Sequence, residues 1–127
     1  MGKEETIKYW IIASERDKKS ALDMLRDGNY NLSLFLWQLV LERLLKALIV
    51  KKDKEVIRTH NLVRLSEIAD IELSDDQRAE LTEISRFNIE ARYDDYKDEF
   101  YRKATKEYTK KWSEIAQRIE KWIIQKI

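Results

Sequence analysis

Three polar side chains follow one another at four-residue intervals in the most apolar stretch of this 127-residue chain: Gln38, Glu42 and Lys46. Residues four apart in an α-helix share one face, so the three form a polar stripe. If the stripe faces solvent, it is a surface strip stabilised by an ion pair between Glu42 and Lys46. If it is buried, its members need hydrogen-bond partners, and it is a polar seam between helices or the floor of a cleft. Both interpretations stay open.

The chain has one histidine, His60, in the string Thr59-His60-Asn61-Leu62. Its imidazole titrates near neutral pH and could serve as a general base. A string of this kind ahead of a helix more often caps the free N–H groups of that helix, and we expect His60 to lie in such a cap. A lone histidine without cysteine does not make a metal site, so we expect no metal and no cofactor. No Ser-His-Asp arrangement is indicated, and we predict no catalytic residue.

A third candidate region, residues 86–96, mixes arginine, tyrosine and acidic residues at a predicted helix end. Tyr93 could stack on a base and Arg92 could bind a phosphate, although both are also ordinary at the corner of a bundle. Residues 70–99 carry 11 acidic and 4 basic groups, which argues against a phosphate site unless basic side chains line one cleft. Residues 100–127 carry 8 basic and 3 acidic groups. These opposite charges could pair within the molecule, across a dimer or with a partner.

Composition excludes several classes of protein. The chain has no proline, two glycines and no cysteine. All-β folds need many turns built from proline and glycine, and phosphate-binding loops and dinucleotide folds need glycine-rich motifs. The start of the chain lacks the apolar region of a secretory signal, and no uncharged run reaches the length of a membrane span. We therefore expect a cytoplasmic protein that does not bind a membrane.

The apolar positions recur with helical spacing throughout the chain. This pattern predicts an all-α fold: an up-and-down antiparallel bundle of four long helices plus one short helix, in a single domain over residues 1–127. The second segment is apolar nearly all round, which is typical of a bundle centre or a subunit interface. The predicted helices are Glu4–Asp27, Tyr30–Lys51, Asn61–Ala69, a fourth opened by a Ser74–Gln77 capping box and reaching Arg92, and Lys97–Lys126.

Residues 10–123 resemble the HEPN domain family (higher eukaryotes and prokaryotes nucleotide-binding). The order and spacing of several short motifs carry the resemblance, and no single one of them is specific. These motifs are Gly28-Asn29-Tyr30, the phrase from Leu36 to Leu48, Thr59-His60-Asn61-Leu62 with Leu65, Ala91-Arg92-Tyr93-Asp94, and a last helix with Ala104, Ala116 and Trp122.

The resemblance implies a helical bundle that often forms homodimers and often works with a minimal nucleotidyltransferase. Some relatives are ribonucleases, and some are toxins held by such a partner. Those relatives carry arginine, four to six residues and then histidine. Here His60 follows Arg58 with one residue between, and no histidine follows Arg86 or Arg92.

Our leading hypothesis is therefore a nucleotide-binding or interaction module. The alternative is a ribonuclease toxin of a toxin–antitoxin pair, with Arg92 and His60 brought together by folding; a purely structural dimer is a third reading. The candidate ligand or interface residues are Gln38, Glu42, Lys46, His60, Arg92 and Tyr93.

Overall fold

The structure, a computed structural model, describes all residues from 1 to 127 and contains helices but no strands. The predicted all-α bundle is confirmed. Six helices follow one another along the chain: α1 (Lys3–Arg26), α2 (Tyr30–Lys51), α3 (Leu62–Ile68), α4 (Asp75–Arg92), α5 (Asp94–Lys103) and α6 (Lys106–Ile124).

Helices α1 and α2 form an antiparallel pair joined by a tight turn. Gly28 has a φ of 81°, the left-handed conformation that ends many helices and that glycine adopts without strain. The turn sends the chain back along α1. At the far end of the pair, the Lys3 ammonium lies 3.0 Å from the Asp53 carboxylate. The sequence signal at Gly28-Asn29 therefore marks the end of α1 correctly.

Helix α2 lies at the centre of the bundle, packed against α1, α3, α4 and α6. Its large side chains Leu34, Trp37, Leu41 and Leu45 are completely buried. The nearly all-round apolar pattern of this helix is thus explained by neighbours within one chain. None of the six helices has the combined length and hydropathy needed to cross a bilayer.

Side-chain caps fix the start of the next two helices. Asn61 accepts a hydrogen bond from the Arg64 N–H and begins α3. Ser74 and Gln77 form the predicted reciprocal capping box at the start of α4. Ser85 joins the two helices, since its Oγ accepts a hydrogen bond of 2.9 Å from the Leu62 N–H.

The predicted final helix, Lys97–Lys126, is wrong in one respect: it consists of two helices, α5 and α6. The helical pattern breaks at Ala104, and the hydroxyl of Thr105 caps the new helix by accepting from the Tyr108 N–H. Helix α5 also begins earlier than predicted, immediately after the extended residue Tyr93. The turn at Tyr93, between α4 and α5, lets Phe100 fold back onto Phe87 of α4, with ring centroids 5.7 Å apart.

Candidate functional site

A buried network of polar side chains connects α2, α4 and the segment that precedes α3. Gln38 is fully buried. Its Oε1 accepts a hydrogen bond of 2.8 Å from Asn88 Nδ2. Its Nε2 donates to Glu42 Oε1 at 3.1 Å and to the backbone carbonyl of His60 at 3.0 Å. Gln38 therefore ties the His60 loop to the centre of the bundle.

Glu42 is the charged centre of this network, and 6% of its side chain is exposed. Lys46 Nζ lies 2.8 Å from one carboxylate oxygen, and His60 Nδ1 lies 2.7 Å from the other. Burial alone would raise the pKa of Glu42, but hydrogen bonds from Lys46, His60 and Gln38, with the charge of Lys46, lower that pKa below its usual value. Glu42 is therefore ionised at neutral pH.

The geometry decides between the two readings of the Gln38, Glu42 and Lys46 stripe. It is a polar seam between helices and not a solvent-facing strip, because Gln38 and Glu42 are buried. The expected cap of α3 by the Thr59-His60-Asn61 string is present, but the His60 side chain does not supply it. Asn61 supplies the side-chain cap of α3, while the imidazole of His60 turns towards Glu42 instead.

The imidazole of His60 is half exposed, at 48% of its side chain. A carboxylate can only accept hydrogen bonds, so the contact with Glu42 places a proton on Nδ1 of His60. In neutral histidine this leaves the lone pair on Nε2, the nitrogen not bound to Glu42. The arrangement matches the way carboxylates orient catalytic or ligand-binding imidazoles.

Beside His60, an open cleft of about 650 Å³ runs between the segment before α3 and one face of α4. We call it the basic cleft, because its walls contain three arginines and a histidine but no aspartate or glutamate. It is lined by Thr59, His60, Asn61, Val63, Arg78, Thr82, Ser85, Arg86, Ile89, Arg92 and Tyr93.

Helix α4 has one face towards the core and a neighbouring face towards the basic cleft. Leu81, Ile84, Phe87 and Asn88 point into the core and are buried. The neighbouring face carries the cleft residues from Arg78 to Arg92 at helical spacing. The net acidity of residues 70–99 therefore does not describe the cleft, whose charge is positive.

Arg92 and Tyr93 lie together where α4 ends. The Arg92 guanidinium carbon is 5.8 Å from the centre of the Tyr93 ring, and the ring is 55% exposed. Arg92 Nε also donates to the backbone carbonyl of Asn88 at 3.2 Å. The side chain of Asn88 in turn donates to Gln38. Asn88 therefore connects Arg92 to the buried network.

The six candidate residues thus fall into two groups that meet at His60. Gln38, Glu42 and Lys46 belong to the buried network, while Arg92 and Tyr93 line the cleft. Sequence reasoning missed Arg78, Thr82 and Ser85, and it included Arg86 and Asn88 in the candidate region 86–96 without giving either a role. The recurrence of polar residues beside the buried stripe of α4 could have indicated them.

The remaining chemistry of the region is limited. No group of three or more His, Asp or Glu side chains is arranged to hold a metal ion. Ser85 is the serine of the cleft, and its hydroxyl donates to the Leu81 carbonyl at 2.7 Å while accepting from the Leu62 N–H. The first bond lies within α4 and the second joins α4 to α3; since both engage the hydroxyl, Ser85 is not poised as a nucleophile.

Comparison with known proteins agrees with this architecture. The chain is similar in structure to TT1696 from Thermus thermophilus, a protein known from a crystal structure, with a TM-score of 0.80 and 21% identity over 95% of this chain and 98% of that one. At this identity the likeness concerns the fold. No curated protein matches the chain. The model of the HEPN domain family matches residues 7–127, almost the whole bundle that builds the network and the cleft. The resemblance seen in the sequence is confirmed: the chain belongs to the HEPN domain family.

Proposed function

We propose that residues 1–127 form one cytoplasmic binding module whose basic cleft takes a nucleotide or the phosphate backbone of RNA. The HEPN family makes the chain a nucleotide- or RNA-related module. The observation that carries the proposal is the meeting of Arg78, Arg86, Arg92 and His60 in one cleft without an acidic side chain. Positive charge in a concave site raises the local concentration of anions.

The cleft offers separate contacts for the two parts of a nucleotide. Guanidinium groups bind phosphate oxygens in pairs through their planar fork of N–H donors. Tyr93 adds an exposed aromatic face on which a base can stack. The arrangement suits a phosphate flanked by a base better than it suits an isolated small anion.

Binding of a fluorescein-labelled single-stranded RNA hexanucleotide, followed by fluorescence anisotropy, tests the proposal. We expect Arg92→Gln to weaken binding by about tenfold or more, since charge-assisted hydrogen bonds contribute about 1.5–3 kcal/mol each. The dependence of log affinity on log salt should become shallower by about 0.7 for each phosphate that the variant no longer binds.

The matched control is Arg102→Gln, which removes the same charge from an exposed residue of α5 outside the cleft. It should leave the affinity nearly unchanged. Titration calorimetry with ATP and GTP then asks whether a mononucleotide is enough. Flat titrations with RNA and with both nucleotides at millimolar concentration would reject the proposal.

We also propose that the module works as a homodimer with a minimal nucleotidyltransferase as partner. Central helix α2 is covered within one chain, so it gives no reason for a second copy. Support comes instead from exposed apolar side chains at and beside the cleft: Ile89 and Tyr93 line it, and Tyr96 lines the neighbouring groove. Light scattering at micromolar concentration measures the mass, and a monomer would reject the dimer.

One observation favours a second candidate function, a ribonuclease toxin of a toxin–antitoxin pair. His60 and Arg92 line the same cleft although 32 positions separate them in sequence. His60 Nε2 would accept the proton of a ribose 2′-hydroxyl, whose oxygen then bonds to phosphorus. The bond from phosphorus to the 5′ oxygen breaks, and that oxygen takes up a proton from His60. Arg92 would stabilise the charge on the phosphoryl oxygens.

This second function predicts RNA cleavage that disappears in His60→Ala while the fold survives, checked by gel electrophoresis and circular dichroism. The products should carry 2′,3′-cyclic phosphates, and an all-deoxy oligonucleotide should stay intact. Arg64→Ala, at an exposed position of α3 outside the cleft, is the control. Intact RNA after prolonged incubation with purified protein would rule the activity out and leave binding as the function.

A further inference from the structure

Arg86 differs from the other two arginines of the basic cleft, because it alone has carboxylate partners. Its Nε lies 3.2 Å from Glu90 Oε1, and its Nη1 lies 3.9 Å from Glu83 Oε1. Arg78 and Arg92 take part in no ion pair. The Arg86 side chain is 63% exposed and lines both the cleft and a neighbouring groove with Glu90. It therefore stands between two anions: any ligand in the cleft and Glu90.

The carboxylate of Glu90 is largely buried and has few polar partners. Its side chain is 11% exposed, and its Oε1 accepts no hydrogen bond. The second cation near it, Lys103 Nζ, lies 3.6 Å away. A buried carboxylate oxygen without a hydrogen bond is destabilising unless a cation stays close. Glu90 therefore has a strong electrostatic reason to keep Arg86.

Lys103 does not satisfy Glu90 alone, because it is shared. Its ammonium also lies 3.3 Å from Glu83 Oε2, and the Tyr108 hydroxyl donates to the same oxygen at 2.9 Å. Burial, followed by the proximity of Glu83, raises the pKa of Tyr108, so the phenol keeps its proton and remains a donor. Glu83 thus has both a hydrogen-bond donor and a cation, while Glu90 depends on Arg86 and on a lysine that it shares with Glu83.

We infer that Glu90 is a positioning residue that restrains Arg86 and lowers the affinity of the basic cleft for phosphate groups. The inference rests on the function proposed above. When Arg86 moves to a ligand, Glu83 and Glu90 are left to share Lys103. A ligand with several phosphates compensates for the lost ion pair between Arg86 and Glu90. One phosphate group binds Arg78 and Arg92, and another remains for Arg86. Because Lys103 belongs to α5, the packing of α5 on α4 sets the strength of the restraint.

The test uses Glu90→Gln and the same labelled RNA hexanucleotide. We expect Glu90→Gln to tighten binding about threefold or more, and to have little effect when Arg86→Gln is already present; such a cycle isolates the pairwise coupling. Lys103→Gln should weaken binding in the Arg86 protein and much less in the Arg86→Gln protein. Glu99→Gln, at an exposed position of α5, is the control for charge alone.

A second readout needs no ligand. The Nε–H resonance of Arg86 in NMR spectra, assigned by its loss in Arg86→Gln, should shift and exchange faster with solvent in Glu90→Gln but not in Glu99→Gln. Equal tightening by Glu90→Gln with and without Arg86, or an unchanged Arg86 resonance, would overturn the restraint. An altered resonance without any RNA binding would instead uphold the restraint and reject the proposed function.

Discussion

Leu45→Asp is expected to destabilise the protein severely. Leu45 is fully buried at the centre of α2, in one cluster with Trp37, Leu41 and Phe87. An aspartate there would place an unpaired carboxylate among apolar side chains. The free energy of unfolding should fall by more than about 4 kcal/mol, a large part of the roughly 5–15 kcal/mol typical of a domain. Urea denaturation followed by far-ultraviolet circular dichroism measures the loss.

Leu32→Asp is the matched control, because Leu32 belongs to the same helix but is 47% exposed. It lies in the first turn of α2, where a negative charge interacts favourably with the helix dipole. Its effect should stay within about 0.5 kcal/mol of zero, as for most surface substitutions. A Leu45→Asp variant that melts within a degree or two of the parent would show that α2 is not the centre of the core.

Most of the fold could be predicted because its signals are local. The bounds of α2 follow from an apolar run framed by Gly28-Asn29 and a charged segment, and α4 begins at a capping box that four residues define. The break between α5 and α6 gave no such signal. Tyr101, Ala104, Tyr108 and Trp112 keep helical spacing across it, so periodicity continues where the backbone does not. The one local mark of the break is Thr105, an N-cap residue that alone does not set a helix boundary.

The candidate site was less predictable, since its contacts are distant in sequence. Spacing alone puts Gln38, Glu42 and Lys46 on one face. Their partners lie 18 positions away for His60 to Glu42 and 50 for Asn88 to Gln38, and only the tertiary fold brings them near. The basic cleft was hidden for another reason. Its arginines come from the most acidic part of the chain, and α4 sorts the two charges onto different faces.

Glu42→Leu is the second substitution with a large expected effect. It places an apolar side chain of similar size at this position of α2. The Lys46 ammonium, whose side chain is 12% exposed, then lacks its carboxylate partner, and His60 Nδ1 lacks its acceptor. Removing one partner of a buried ion pair costs about 3–5 kcal/mol. We expect a loss near the lower end, about 3 kcal/mol, because Lys46 keeps a contact with the face of the Trp10 ring, 5.3 Å from its centre.

The loss should depend on pH in a defined direction. The pKa of Glu42 is lowered in the folded protein, so its ionised form stabilises the fold at pH values above the usual 4.5. This stabilisation disappears as the pH falls through the lowered folded pKa. The difference in unfolding free energy between the parent and Glu42→Leu should therefore shrink as the pH falls into the acid range. Urea titrations at several pH values measure it.

Two further variants separate the buried pair from charge in general. Glu42→Leu combined with Lys46→Met removes both charges together, and apolar replacement of a whole buried pair is often neutral or stabilising. The double variant should therefore recover much of the lost stability. Asp98→Asn breaks the exposed pair that Asp98 forms with Arg102 at the same four-residue spacing, and should cost at most about 0.5 kcal/mol. If Glu42→Leu costs no more than Asp98→Asn, the network does not hold the bundle together, and the position of His60 beside the cleft must depend on the Gln38 contact with its backbone instead.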